Sequence, residues 1–320
     1  MHSQSNARSQ DMQRSDLFQL SRLKHTKPLF GLAVVSVAAA LVLVPFWIFD
    51  PRDLGGASIW EKPLKFFLSA AIFGITYSWL SSFIHKSSRR VGLAGSVIAV
   101  SLAIELILIT AVAGFGETSH FNVSSPLAIT IWSLMATFIS MVLIATVILS
   151  VLIIRDKSQV FAVRLGLGLG SLNTAIGMGL AFLMTSPTAN QLANFQGIAG
   201  AHSVGTNDGG PGLPFLGWST VAGDLRVGHF FGLHSIQVAV ALLVLSYLLP
   251  VALRIPTLLI GNFTYLGFVG IVTWQALRAE PFSSPGSLTI TSLVVLLVSA
   301  VLVLGFLAIN SRRSKSRNLA

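Results

Sequence analysis

The 320-residue chain is 53% hydrophobic and only 10% charged, has no cysteine and has a mean hydropathy of +0.78, whereas a soluble domain carries roughly 25% charged residues. This composition excludes an ordinary soluble fold and, without cysteine, excludes disulfides, thiolate metal sites, iron–sulfur clusters and haem attached through C-x-x-C-H. The formal charge of +10 would suggest nucleic acid in a soluble protein, but in a membrane protein the position of the charges decides their meaning.

The first 27 residues are polar. Their basic members, Arg8, Arg14, Arg22, Lys24 and Lys27, are diluted by Asp11 and Asp16, so the segment reads as a cytoplasmic tail and no nucleic-acid partner is expected. Eight apolar runs follow, at residues 29–49, 64–84, 91–113, 127–154, 162–184, 229–250, 257–277 and 287–309. Each is long enough for a helix crossing a hydrocarbon core of roughly 30 Å. They are continuous rather than alternating, so barrel strands are excluded. The first run is too long for a signal-peptide core and is read as an uncleaved helix. The expected fold is an all-α integral membrane protein with about eight transmembrane helices. One bundle domain spans residues 28–309, between basic cytoplasmic tails at 1–27 and 310–320.

Charge placement sets the orientation. The N-terminal tail, the second connection (Lys86, Arg89, Arg90), the fourth (Arg155, Lys157, with Arg164 just beyond), the sixth (Arg254) and the C-terminal tail (Arg312, Arg313, Lys315, Arg317) hold sixteen of the 21 basic residues. Both termini are therefore expected in the cytoplasm. The opposite face carries Arg52, Lys62, Lys65, Arg226 and Arg278 against Asp50, Asp53, Glu61, Glu117, Asp208, Asp224 and Glu280. The excess positive charge then reports topology and attraction to anionic lipid in the bilayer, which is an expected partner beside a possible small-molecule or ion substrate.

The extracytoplasmic connections hold the unusual residues. The fifth, residues 185–228, has many glycines and several aromatic residues, and up to Gly223 its one charge is Asp208. Disordered chains are charge-rich and aromatic-poor, so a folded cap or re-entrant segment over an internal site is expected. In the fifth helix Gly166-x-x-x-Gly170 follows no strand and reads as a close helix-packing face.

His120, His202, His229 and His234 lie on this side, and His2, His25 and His85 on the other. With Asp224 as N-cap of the sixth helix, His229 sits one turn in and His234 roughly 15 Å down, about 140° around the helix from it. Glu105 is the acid well inside an apolar run, about 12 Å below the outer surface of the third helix. An ionisable group in a membrane helix is by default a functional candidate. The matched depth predicts that Glu105 and His234, with Gln237 nearby, share a polar cavity. Lys62, Lys65, Asn122, Asp208, Asp224 and Arg226 are the polar cap and helix-end candidates. Helix-end ion pairing is the plainer reading of Lys65 with Glu61 and of Arg226 with Asp224, and loop hydrogen bonding that of Asn122.

The segments Trp60-Glu-Lys-Pro-Leu-Lys-Phe, Ser119-His-Phe-Asn and Gly223-Asp-Leu-Arg-Val-Gly-His-Phe-Phe-Gly-Leu-His-Ser-Ile-Gln237 resemble those of multi-pass bacterial membrane proteins with no assigned activity. The resemblance covers residues 60–237 and implies a bacterial plasma membrane.

Three functions compete. Imidazole suits iron, copper and zinc, so the first is a redox protein holding haem b or a copper or zinc ion near the outer face. His234 would be one ligand and His120, His202 or His229 the second. The second is a proton-linked transporter of a small solute or ion using Glu105 and His234. Its helix-level polar candidates are Ser69, Thr76, Tyr77, Asn173, Thr174, Gln237, Asn262 and Tyr265. The third is a zinc-dependent membrane hydrolase with His120, His229 and Asp224 or Asp208 as ligands and Glu117 as base.

Overall fold

The computed structural model describes residues 19–317 and is mostly helical. A short helix α1 (Leu20–Leu23) precedes α2 (Lys27–Phe49), α3 (Glu61–Ser81), α4 (Ser88–Gly114), α5 (Pro126–Arg155) and α6 (Phe161–Gly179), which continues as a 3-10 turn over Leu180–Met184. After a small helix α7 (Ala189–Ala193) and the strands β1 (Ser203–Val204) and β2 (Gly223–Asp224) come α8 (Leu225–Leu233), α9 (Ser235–Tyr247), α10 (Val251–Leu277) and α11 (Ser287–Arg317). Among the described residues seven helices are long and apolar enough to cross a membrane, or eight if the bent α8–α9 pair is one span. Composition and architecture together are those of a multi-pass membrane protein.

The sixth apolar run differs from expectation. It is broken at His234, where α8 and α9 meet at 44°, so a helical-wheel angle taken along the run does not extend past that residue. The break is held by partners from other helices. Thr174 Oγ1 of α6 accepts the Ile236 N–H at 3.1 Å, and the Tyr265 hydroxyl of α10 donates to the Phe231 carbonyl at 2.9 Å. Backbone groups freed at a break inside a membrane need such partners. Helix α8 also starts four residues before the apolar run. Asp224 caps it as the sequence predicts, its side chain accepting from the Arg226 N–H at 3.0 Å. Helix α10 takes in Arg254, and α11 continues through Arg317 into the stretch expected as tail.

The glycines of α6 make close packing possible. A Cβ on Gly170 would lie 2.2 Å from the Ala239 Cβ, and one on Gly177 would lie 2.2 Å from the Gly232 carbonyl carbon. Helix α6 therefore meets α8 and α9 nearly backbone to backbone, which is the close-packing face its sequence indicates. Helix α11 is peripheral and packs on α10, and beyond Thr289 its apolar span is not buried within the protein.

The connections segregate by end. The short ones, 82–87, 156–160 and 248–250, close one end. The long ones meet at the other and form a folded cap. There Arg52 donates to the Gly114 carbonyl at 2.8 Å, Val123 N–H to Gly197 at 2.8 Å and Ala199 N–H to Phe121 at 2.8 Å. Strands β1 and β2 pair antiparallel, with Ser203 opposite Asp224. Trp218 is buried and packs edge-on against Phe230 and Phe282. The 185–224 stretch is thus ordered by hydrogen bonds and by an apolar core that it shares with α8 and α10.

Candidate functional site

Under the cap, three elements bring charged side chains together. Lys62 stands in the first turn of α3, Glu105 about two and a half turns from the end of α4, and Ser119 and His120 in the 115–125 connection. The Lys62 ammonium donates to Ser119 Oγ at 2.9 Å and lies 3.0 Å from His120 Nδ1. An ammonium has only donors, so Nδ1 is the acceptor and the proton of neutral His120 sits on Nε2. That nitrogen faces Glu105 Oε1 at 3.8 Å, beyond hydrogen-bond length. Glu105 is 3% exposed, and its other oxygen, Oε2, has no hydrogen-bond partner. A buried carboxylate with an unmet lone pair is uncommon and needs a reason.

The loop conformation that delivers His120 is unusual. Phe121 has φ of 64°, a left-handed conformation that a bulky side chain rarely adopts. Its ring fills the space between two imidazoles, with centroids 6.1 Å from His120 and 5.0 Å from His202. Gly200 leaves room for it, since a Cβ there would stand 2.5 Å from the Phe121 ring. Trp132 and Phe66 complete the apolar wall around His120, at 5.3 and 5.9 Å between centroids. Burial, reinforced by the nearby Lys62, His202 and His229, holds the His120 pKa well below the usual imidazole value.

The other histidines make separate contacts. His202 Nδ1 lies 2.9 Å from Asp208 Oδ2, and Asp208 also accepts the backbone N–H groups of His202 and Ser203 at 2.9 and 2.8 Å. Burial lowers the His202 pKa despite the opposing effect of Asp208, and the same hydrogen bonds hold the Asp208 carboxyl below its ordinary range. His229 Nδ1 lies 2.8 Å from the Gly177 carbonyl, and a carbonyl only accepts, so that nitrogen carries the proton. His234, at the α8–α9 break, lies against Phe230 at 4.5 Å between centroids. Gln237 donates to Thr76 at 3.1 Å.

By their matched depth Glu105 and His234 are expected to share a polar cavity. No hydrogen bond or ion pair joins them, and the imidazole beside Glu105 is that of His120. Matched depth fixes position along the bundle and leaves position around it open. The three-ligand set expected for a zinc hydrolase does not assemble either. Among the described residues no three histidine, aspartate or glutamate side chains converge to hold a metal ion. Asp224 is engaged by Arg226 at 2.6 Å and by the Ser219 N–H at 2.9 Å. Glu117 is exposed and meets Asn122 at 3.4 Å, while Asn122 Oδ1 accepts from Ser124, the loop role expected of it. Lys65 pairs with Glu61 at 2.8 Å and also donates to the Phe215 carbonyl at 2.8 Å. His25 and His85 lie at the short-loop end and are exposed, and His2 lies outside the described residues.

Sequence reasoning missed Ser119, Trp132, Phe66 and the role of Lys62 as partner of His120. The Ser119-His-Phe-Asn segment was the available signal, but nothing local shows that Phe121 turns it back into the bundle. A second polar chain, deep in the bundle, runs from the Tyr77 hydroxyl to Ser171 at 3.1 Å and on to Ser150 at 2.7 Å. No protein-family model, curated protein or solved structure matches the chain.

Proposed function

We propose that the protein is a bacterial plasma-membrane protein with its cap outside and both termini in the cytoplasm, and that Glu105, His120 and Lys62 are the proton-handling site of a transporter for a small solute or ion. The basic residues concentrated in the tails and short connections support the orientation. One observation carries the site: Glu105 is buried within a candidate span with Oε2 unpartnered, and Oε1 stands 3.8 Å from an imidazole that also meets an ammonium. Three protonatable groups in a largely buried cluster, one with a vacant lone pair, can pass a proton after a shift of under 1 Å at the Glu105–His120 gap, since hydrogen bonds form near 3 Å. The cap above them, latched by Lys65 and Arg226 to carbonyls of residues 215–217, is suited to act as an outer gate.

The test is solute-dependent proton movement in proteoliposomes with an entrapped pH-sensitive dye, challenged with pools of small solutes and inorganic ions. Flux is expected in the native protein, lost in Glu105→Gln and reduced in His120→Gln. Solute flux unaffected by Glu105→Gln would contradict the proposal.

A further inference from the structure

At the short-loop end, buried Asp156 accepts the backbone N–H groups of His85 at 2.6 Å, Lys86 at 3.2 Å and Ser158 at 3.0 Å. This one carboxylate pins the 82–87 connection to the end of α5. As a result Lys86, Arg90 from the first turn of α4 and Arg155 from the last turn of α5 line a single groove of about 380 Å³. The rest of the groove is chiefly apolar. Val147, Ile148 and Val151 stand with Arg155 on one face of α5, as spacings of one, four and eight residues require, and this stripe runs about 12 Å from Arg155 toward the middle of the bundle. All three of these apolar side chains are exposed on the outer surface of the bundle.

Lys86, Arg90 and Arg155 are exposed and make no side-chain hydrogen bond or ion pair among the described residues. Asp156 also lines the groove, but its oxygens are already engaged by the N–H donors above. The groove thus carries three cations against the single carboxylate of Asp156, a net positive charge at its head, with an apolar wall below them. We infer that it binds an anionic phospholipid, with the phosphate among Lys86, Arg90 and Arg155 and an acyl chain along Val147, Ile148 and Val151. Both halves are needed for this choice of ligand. A soluble phosphate would make no use of the apolar wall, and a zwitterionic lipid would bring its own cation to the basic head. Basic pockets between membrane helices recognise anionic headgroups on these terms.

The test uses the full-length protein, purified and delipidated in detergent. Bound dioleoyl phosphatidylglycerol or dioleoyl phosphatidylcholine is counted by native mass spectrometry. The anionic lipid is expected to be retained preferentially. The preference should fall about fivefold for each of Lys86→Gln, Arg90→Gln and Arg155→Gln, and on the order of a hundredfold for all three together. Lys157→Gln, exposed in the 156–160 connection just beyond Arg155 but outside the groove, should keep it. Val151→Trp, which fills the groove and leaves the charges intact, should weaken retention as well. All these side chains are on the surface, and if the triple variant does not fold, the single Arg155→Gln variant carries the test. Equal retention of the two lipids, or a preference that survives the three substitutions, would overturn the inference. Displacement by inorganic phosphate at the lipid's own concentration would assign the groove to a soluble anion and overturn it too, as would unchanged binding in Val151→Trp.

Discussion

Lys62 is the residue on which the candidate site is arranged. It is the donor that meets both Ser119 and His120, so Lys62→Met leaves two largely buried acceptors without their cation. This should lower stability by about 1–3 kcal/mol, measurable by denaturant unfolding in detergent. The histidines make a separate prediction about pH. Burial holds His120 and His202 below the ordinary imidazole value, so the unfolded chain takes up protons more readily than the folded one. Their contribution to stability is therefore present above the unfolded value of roughly 6.5 and is lost as the pH falls through it. Asp208, with a depressed carboxyl, acts in the same direction but only below about pH 4. The unfolding temperature should drop between about pH 7.5 and 5.5, and His120→Gln with His202→Gln should flatten that slope. An unchanged slope in the double variant would place the titrating groups elsewhere.

At the scale of elements, the helix runs and the glycine face were legible because continuous apolar sequence and small-residue spacing are local signals. The prediction that follows is severe. Gly177→Val would drive a side chain into the Gly232 backbone, separate α6 from α8 and displace His229 from the Gly177 carbonyl. A loss of more than about 3 kcal/mol, or failure to fold, is expected from overpacking of that kind. The break at His234 was not legible, since Thr174 and Tyr265, which hold it, are far away in sequence. The partner of Glu105 was hidden for a similar reason: His120 is a loop residue, and only the left-handed Phe121 and the space left by Gly200 turn it inward. The cap was legible as a folded element from its low charge and its aromatic residues. Its latch was not, because Lys65 reaches carbonyls 150 residues away. Lys65→Met should therefore expose residues 213–217 to limited proteolysis while Lys157→Met does not.

For the whole molecule, the two ends differ in kind. One carries long, folded connections over a cluster of protonatable groups, and the other carries short connections tied by Asp156, whose hydrogen bonds to Ser158, Lys86 and His85 outweigh burial and hold its pKa at about 2. Removing that tie with Asp156→Ala leaves backbone N–H groups unpaired, should cost about 1–3 kcal/mol, and should separate Lys86 from Arg155. The proposed orientation has a direct check, because the chain has no cysteine. Asn207→Cys, exposed in the cap, should react with a membrane-impermeant maleimide added to spheroplasts, and Lys157→Cys only after permeabilisation. The reverse pattern would invert the molecule in the membrane.

Proton handling at this site requires that Glu105 change its protonation in place, beside His120. Infrared difference spectroscopy of the purified protein across a pH step reads this directly through the carbonyl band of a protonated carboxyl group. A pH-dependent band is expected that disappears in Glu105→Gln and shifts in position or midpoint in His120→Gln. A band unaltered by Glu105→Gln, or no carboxyl band titrating in the native protein, would contradict it.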